Sequence, residues 1–262
     1  MPVTYLDRIL AAHRDAAAKD ERDTDTLTAH ALAAAPARGF RATLDAAAGM
    51  AVISEVKRRS PSKGDLFPDL DPAVLAAQYA AGGAACLSVL TDEDWFGGSV
   101  DDLRAARDAV DLPVLRKDFT VHRHDVLDAR IMGADCVLLI AAALDDGELA
   151  DFHGLARDVG LDALVEIHDE AELERALAVD ATLIGVNQRD LVTFEVDTER
   201  AVRMAEQMPA GVVRVAESGI RGPQDVQVLG AAGYHAVLVG ETLVKHGDPA
   251  DGVRELRAGF SA

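Results

Sequence analysis

Short apolar runs alternate with amphipathic segments along most of the chain. Eight of these runs are rich in β-branched residues and too short to form buried helices, so each predicts a β-strand. The runs occupy residues 51–55, 85–90, 113–116, 135–140, 163–166, 182–186, 212–216 and 236–239. Between them the apolar positions recur at helical spacing, and amphipathic helices are predicted, among others, over residues 71–81, 124–132, 170–178 and 223–232.

Capping residues mark the ends of several predicted helices. Asp71 stands directly before Pro72, and proline is favoured at the first position of a helix. Glycines that follow helical segments predict their ends, since glycine readily adopts the left-handed conformation found there. The glycines in question are Gly82, Gly133, Gly160 and Gly233.

Alternation of strands and helices indicates parallel strands joined by helical crossovers. Eight such units in about 210 residues favour a closed (β/α)₈ barrel, an α/β fold also called a TIM barrel. An open doubly wound sheet is less favoured, because the chain lacks the GxGxxG pattern typical of that fold. We predict one domain, with a helical extension over residues 1–48 and the barrel over residues 49–262. The extension is expected to cover one end of the barrel.

Composition narrows the classes of partner. The 262 residues include 45 acidic and 26 basic side chains, giving a formal net charge of −19. Nucleic acid and anionic membranes both require a basic surface, so neither is an expected partner. No apolar run approaches the roughly 20 residues of a membrane span, and the start of the chain lacks the apolar block of a signal peptide. The sequence is compatible with a monomer, and the surface pattern does not decide the oligomeric state.

The two cysteines, Cys86 and Cys136, lie inside predicted strands. We interpret them as reduced core thiols of a cytoplasmic protein. No CxxC pair occurs, and His122 and His124 have no obvious third ligand, so no metal site is expected. His168 stands beside Asp169 and is interpreted as a cap of the following helix.

Polar residues gather where the predicted strands end, which is where barrels of this class carry their chemistry. Three of the five lysines follow strands, namely Lys57, Lys63 and Lys117. Glutamates stand at the last position of other strands or just beyond it, and a paired lysine and glutamate shift each other's pKa. One such pair would suggest only a salt bridge that closes the barrel. Polar residues at six strand ends favour an active site instead.

Glycines after the last two strands predict a phosphate site. Gly219 follows Ser218 after the seventh strand, and Gly240 follows the eighth. Barrels often bind phosphate through backbone N–H groups of these two loops. The polar loop over residues 58–70 is predicted to act as a lid over a bound ligand.

The motifs at the strand ends resemble those of indole-3-glycerol phosphate synthases in order and spacing. They are residues 55–62 (EVKRRSPS), 88–91 (SVLT), 95–98 (WFGG), 115–119 (LRKDF), 187–191 (NQRDL), 216–220 (AESGI) and 239–241 (VGE). The resemblance covers roughly residues 50–245, and it implies closure of an indole ring on 1-(2-carboxyphenylamino)-1-deoxy-D-ribulose 5-phosphate, with loss of carbon dioxide and water. No metal or organic cofactor is implied.

The resemblance also implies a role for each site residue. Lys117 is the acid of ring closure, and Glu166 and Lys57 serve the dehydration, with acid and base not distinguished. The positions that orient substrate and lysines are Glu55, Asn187 and Glu217. The substrate-facing wall is implied to contain Ser60, Phe119, Arg189 and Leu191. The phosphate cradle is implied to contain Ser218, Gly219, Gly240 and the backbone of Glu241.

Two alternatives differ in chemistry. Another phosphate-sugar barrel, such as phosphoribosylanthranilate isomerase, would use a cysteine at the end of the first strand, where this chain has none. A non-catalytic barrel would be expected to lack an intact set of Lys117, Glu166 and Lys57.

An anionic substrate further leads us to expect a basic barrel mouth on an acidic body. Seven residues are expected to form it: Lys57, Arg58, Arg59, Lys63, Arg116, Lys117 and Arg189.

Overall fold

The computed structural model describes residues 4–60, 64–190 and 192–260. Eight parallel strands follow one another around a closed barrel, and the last pairs with the first through Ala51 and Ala236. The barrel strands are β1 Ala51–Val56, β2 Cys86–Leu90, β3 Val114–Lys117, β4 Cys136–Ile140, β5 Asp162–Ile167, β6 Leu183–Asn187, β7 Val213–Glu217 and β8 Ala236–Val239. Each bound lies within one residue of the predicted run, and the predicted (β/α)₈ barrel is confirmed.

Helices fill the crossovers and precede the first strand. They are α1 Tyr5–Ala17, α2 Thr24–Ala33, α3 Phe40–Asp45, α4 Pro72–Gly82, α5 Glu93–Phe96, α6 Val100–Ala109, α7 Arg123–Met132, α8 Asp146–Asp158, α9 Glu170–Ala178, α10 Arg200–Ala205, α11 Pro223–Ala231, α12 Glu241–Lys245 and α13 Pro249–Ala258. Among the described residues, no helix is both long and apolar enough to cross a lipid bilayer.

Helix α4 shows how the capping residues act. The side chain of Asp71 accepts hydrogen bonds from the backbone N–H groups of Ala73 and Val74, and Pro72 opens the helix as predicted. The predicted end at Gly82 is wrong by one residue. Gly82 is still helical, and Gly83 takes the left-handed conformation with φ of 89° that ends the helix.

Strand alternation divides the core into two layers. Every second residue of a strand points into the barrel, where Ile53, Leu115 and Leu164 pack together. The intervening residues, such as Val52 and Val114, pack against the surrounding helices. By the same alternation, the residue two positions after each of these three also points inward, and in all three strands that residue is charged.

The N-terminal extension contacts both ends of the barrel, so the prediction that it covers one end is wrong. Phe40 and Leu44 of α3 are buried in the barrel interior at its amino end. The backbone N–H of Arg38 donates to Asp135 Oδ1 at 2.8 Å and fixes the chain there. Helix α1 lies over the opposite end, where Tyr5 reaches the cavity described below. This split was not encoded in the local alanine-rich pattern.

The predicted lid begins as a short hairpin after β1. Residues Arg59–Ser60 pair in antiparallel fashion with Gly64–Asp65. Arg58 anchors the base of this segment, because its guanidinium donates to the carbonyl of Leu70 at 2.7 Å and to Asp102 Oδ1 at 2.8 Å.

Candidate active site

A cavity of about 490 Å³ opens at the carboxyl ends of the strands. The size suits a small-molecule ligand. The candidate residues that line it are Glu55, Lys57, Ser60, Lys117, Phe119, Glu166, Asn187, Arg189, Glu217, Ser218, Gly219, Gly240 and Glu241. Leu191, the remaining candidate, lies outside the described residues. The sequence-predicted site is thus one cavity rather than a set of separate salt bridges.

Lys117 stands near the middle of the polar group. It follows inward-facing Leu115 on β3, so its side chain also points inward. Its Nζ lies 3.3 Å from Glu166 Oε2 and 4.0 Å from Glu217 Oε2. Burial alone lowers the pKa of Lys117, but the charges of Glu166, Glu217 and Glu55 outweigh burial and raise that pKa above its ordinary value. The ammonium is therefore the resting form.

Glu166 and Glu217 form a pair of buried carboxyl groups whose pKa values move in opposite directions. Burial raises the pKa of Glu166, yet Lys117, His168 and a hydrogen bond from Asn187 more than offset it and leave the pKa below its ordinary value. Asn187 Nδ2 donates to Glu166 Oε1 at 3.1 Å. Burial and the charge of Glu166 hold the pKa of Glu217 well above its ordinary value. The two carboxyl groups therefore differ in acidity, and Glu166 is the one that loses its proton more readily.

Lys57 and Glu55 lie at the end of β1 on the other side of the cavity. Lys57 Nζ donates to Glu55 Oε1 in a short ion pair. Gly240, beside them after β8, leaves the space that Glu55 occupies. A Cβ at Gly240 would meet Glu55 Oε1 at 2.4 Å. The glycine predicted for phosphate therefore also makes room for a buried carboxylate.

The phosphate end of the cavity is built from backbone. Ser218 and Gly219, directly after β7, both have positive φ angles, of 65° and 73°. Helix α12 begins at Glu241 directly after Gly240. Thr242 ties these two loops together, because its hydroxyl donates to the carbonyl of Ile220 at 2.6 Å. Such a junction of two loops and a helix start suits a phosphate group.

Aromatic side chains wall the opposite end. Phe119 packs near Phe96, with ring centroids 6.3 Å apart. Tyr5 of α1 lies edge-on to Trp95 at 5.1 Å and to Phe194 at 6.0 Å.

Sequence reasoning missed several lining residues, namely Tyr5, Phe194, Arg221 and Thr242. For Tyr5 a signal was present, because Tyr5 and Ile9 are four residues apart and share one face of α1. Phe194 and Arg221 lie in loops with no periodic pattern to follow.

The expectation that basic residues dominate the barrel mouth is wrong. The described cavity lining holds four basic and six acidic side chains, so the acids outnumber the bases. Arg58 pairs with Asp102 instead of reaching the cavity, and Arg116 pairs with Asp118 at 3.0 Å. Lys63 lies outside the described residues. An anionic ligand would therefore meet individual cations held in ion pairs rather than a uniformly positive surface.

Within the described part of the chain, three side chains of metal-ligand type come together at the edge of the cavity. They are His13, Asp92 and Asp118. His13 Nε2 lies 2.9 Å from Asp92 Oδ2 and 4.0 Å from Asp118 Oδ1. The carboxylates already accept other hydrogen bonds, Asp92 from the amide of Trp95 and Asp118 from Arg116. The group thus joins α1 to the loops after β2 and β3.

Two further sequence interpretations have structural outcomes. Asp169, not His168, caps α9 by accepting from the amide of Glu172, so the interpretation of His168 as the cap is wrong. Cys86 and Cys136 are buried free thiols that point into the barrel interior, and neither lines the described cavity. Burial raises the pKa of the Cys86 thiol. A cysteine-based isomerase mechanism has no thiol available at this mouth.

Comparison of the fold shows similarity to other solved barrel structures. The chain aligns with the structure of 3-hexulose-6-phosphate synthase at a TM-score of 0.62 and 17% identity, covering 80% of this chain and 99% of that one. Thiamine phosphate pyrophosphorylase from Pyrococcus furiosus aligns at a TM-score of 0.61 and 16% identity, covering 80% and 94%. At this identity the likeness concerns the fold alone.

Comparison of the sequence is more specific. The chain is 58% identical over 210 residues to an indole-3-glycerol phosphate synthase of Nocardioides sp., covering 80% of this chain and 81% of the relative. Identity to that of Paenarthrobacter aurescens is 50% over 233 residues, covering 87% and 86%. The family model for indole-3-glycerol phosphate synthase matches residues 6–256. The chain therefore belongs to the indole-3-glycerol phosphate synthase family, carboxy-lyases of tryptophan biosynthesis.

Proposed function

We propose that this barrel converts 1-(2-carboxyphenylamino)-1-deoxy-D-ribulose 5-phosphate to indole-3-glycerol phosphate, releasing carbon dioxide and water. The observation that carries the proposal is the buried ammonium of Lys117, held 3.3 Å from Glu166 and 4.0 Å from Glu217 inside the cavity. A phosphate-type end and an aromatic wall flank this group. The arrangement thus offers a separate partner to each part of the substrate.

Ring closure is assigned to Lys117. The ring carbon that bears the carboxylate bonds to the carbonyl carbon of the ribulose chain, and the carbonyl oxygen takes up a proton to become a hydroxyl. Lys117 supplies that proton, since its ammonium is the resting form in the site. The bond to the carboxylate then breaks, carbon dioxide leaves, and the electron pair returns to the ring.

Dehydration is assigned to Glu166 and Lys57. The hydroxyl leaves as water after protonation, and a base removes one proton to complete the indole. Glu166 rests as a carboxylate, and Lys57 lines the same cavity in an ion pair with Glu55. The pair supplies one acid and one base. Glu55, Asn187 and Glu217 orient these groups.

Binding of the phosphate is assigned to the glycine loops. Backbone N–H groups around Ser218, Gly219, Gly240 and Glu241 would surround its oxygens, and glycine allows the close approach. Ser60, Phe119 and Arg189 would contact the rest of the substrate. No step requires a metal or an organic cofactor, since every proton moves between substrate and a side chain.

We further propose that the protein acts as a monomer in the cytoplasm, without nucleic acid or membrane as a partner. The candidate side chains among the described residues meet in the cavity of one chain, so the proposed chemistry needs no residue from a second copy. Two free buried thiols suit a reducing compartment, and the charge of −19 opposes binding to polyanions.

The first test is turnover by the purified protein. We expect indole-3-glycerol phosphate to form from the proposed substrate without added metal and equally in the presence of a chelator, as followed by indole fluorescence. Lys117→Ala should fold normally and lose at least about 1,000-fold in kcat, because the positioned acid is gone.

Lys19→Ala is the matched control, since Lys19 is an exposed lysine in the turn after α1 and lies outside the described cavity lining. It should keep wild-type turnover. A folded wild-type protein without turnover, or one that needs metal, would contradict the proposed function. Near-native activity of Lys117→Ala would remove Lys117 from its assigned role.

A further inference from the structure

His168 contacts a catalytic carboxylate although no step above uses it. It lies two residues after Glu166 at the end of β5, so both side chains emerge on the inward face. His168 Nε2 lies 3.6 Å from Glu166 Oε1, and its side chain is only 12% exposed. On the other side of the ring, Nδ1 lies 3.1 Å from Glu172 Oε2.

The geometry favours the doubly protonated ring. A carboxylate can only accept, so Nδ1 must donate its proton to Glu172. Nε2 is buried and has no hydrogen-bond partner among the residues that the structure describes. In the neutral ring its lone pair would face the oxygen of Glu166, whereas in the imidazolium an N–H faces that oxygen. The charged ring is therefore the form that suits both neighbours.

Glu172 is itself fixed by the start of α9. Its Oε2 also accepts from the backbone N–H of His168 at 2.7 Å. Its own amide donates to Asp169 Oδ1 at 2.9 Å. The ring of His168 is thus held between a rigid helix start and the cavity, with little freedom to turn away from Glu166.

Several other charged and polar groups surround His168 and Glu166. Glu166 faces Lys117 from β3, Asn187 from β6 and Glu217 from β7. Near His168 the remaining cation is Arg200 of α10, which donates to the carbonyl of Asn187 at 2.9 Å. Burial lowers the pKa of His168, but Glu172 and Glu166 outweigh burial and Arg200, and leave the pKa above its ordinary value.

We propose that His168 is a positioning residue that holds Glu166 charged and aimed at Lys117 and Asn187, with Glu172 as its anchor. The inference rests on the proposed function, because it assigns Glu166 the charged form at the start of the reaction. It also gives Glu166 the role of the base at the start of the dehydration.

The test is the pH profile of kcat/KM for His168→Gln. Without the cation, Glu166 becomes ionised only at higher pH, so the acid limb should move up by about one pH unit. At pH values well below the wild-type midpoint of this limb, the shift amounts to a loss of roughly tenfold, while at pH 8.5 kcat and KM should stay within about threefold of wild type. Glu172→Gln leaves the ring in place and should move the limb in the same direction by less.

His153→Gln is the matched control, because His153 is a partly buried histidine of α8 outside the described cavity lining. It should leave the acid limb unchanged. If the limb of His168→Gln coincides with that of the wild type, or moves to lower pH, the inference fails while the proposed function stands. Absent turnover in the wild type would instead overturn the proposed function.

A second measurement does not depend on turnover. The imidazole of His168, followed by nitrogen-detected NMR in the folded protein, should titrate above its ordinary pKa of about 6.5, and the midpoint should fall in Glu172→Gln. A midpoint at the ordinary value in both proteins would overturn the inference.

Discussion

At the scale of single residues, a missing side chain makes room for a catalytic one. Gly185 of β6 points into the barrel beside the carboxylate of Glu217. A Cβ at Gly185 would meet Glu217 Oε1 at 2.1 Å and Leu164 Cδ1 at 3.3 Å. The acid can therefore lie beside Lys117 only because position 185 has no side chain.

Gly185→Ala should displace the Glu217 carboxylate without unfolding the barrel. We expect kcat to fall about 10- to 100-fold, since shifts of the order of 1 Å in a catalytic group have that effect. Overpacking should lower the free energy of unfolding by about 1–3 kcal/mol, measured by denaturant titration.

Gly154→Ala serves as the control for a glycine substitution. A Cβ there meets nothing within 4 Å, and the position lies within α8. It should keep wild-type kcat and gain up to about 1 kcal/mol from helix propensity. Wild-type kcat in Gly185→Ala as well would show that Glu217 needs no fixed position.

Residue alternation explains why so much of the site could be predicted. Leu115 to Lys117 and Leu164 to Glu166 are steps of two along a strand, so a buried apolar residue predicts an inward polar one after it. The same rule places His168 beside Glu166. Because His168 stands beside Asp169 at a helix start, we interpreted it as a cap and did not expect its ring to point inward.

At the scale of elements, His13 links α1 to the carboxyl end of the barrel. Its Nε2 lies 2.9 Å from Asp92, and its ring lies 5.5 Å from that of Phe119. The contact joins residues far apart in the chain, so no local pattern could predict it. Strand positions, by contrast, depend on local apolar runs, and these were predicted within one residue.

His13→Ala should loosen α1 and weaken substrate binding. A hydrogen bond to a charged group contributes about 1.5–3 kcal/mol, so KM should rise roughly tenfold or more while kcat changes less. His30→Ala, an exposed histidine of α2, is the control and should leave both constants unchanged.

The link through His13 also has a pH signature. Burial lowers the pKa of His13, but Asp92 and Asp118 outweigh burial and raise the pKa. Because the pKa of His13 is raised, the stabilisation that the charged ring gives to α1 is complete below the ordinary pKa of about 6.5. This stabilisation is lost as the pH rises through the raised pKa. The wild-type KM should therefore increase with pH relative to His13→Ala. Parallel KM curves for the two proteins would contradict this role.

At the scale of the whole molecule, negative charge lies on the surface. Of the 45 acidic side chains, those buried among the described residues are Glu55, Asp92, Asp118, Asp135, Glu166 and Glu217. Acidic side chains outnumber the 26 basic ones by 19 over the whole chain, and the excess of like charge is repulsive. Folding brings these charges closer together than they are in the extended chain.

Salt should consequently stabilise the protein. Raising KCl from 0.05 to 0.5 M at pH 7.5 should increase Tm by about 3 °C, because the Debye length shrinks and the repulsion is screened. At pH 5.5, nearer the sequence pI of about 4.7, the increase should be smaller. A Tm that falls with salt at pH 7.5 would mean that surface ion pairs outweigh the repulsion.

The two-ended N-terminal extension sets an order of events during synthesis. Helices α1 and α3 leave the ribosome before any strand, yet the surfaces on which they pack come from strands and loops made later. The barrel itself closes only when Ala236 arrives to pair with Ala51. Until then Phe40 and Leu44 have no barrel interior to enter. The nascent chain thus keeps the apolar side chains of Phe40 and Leu44 without their final packing partners until its last strand has been made.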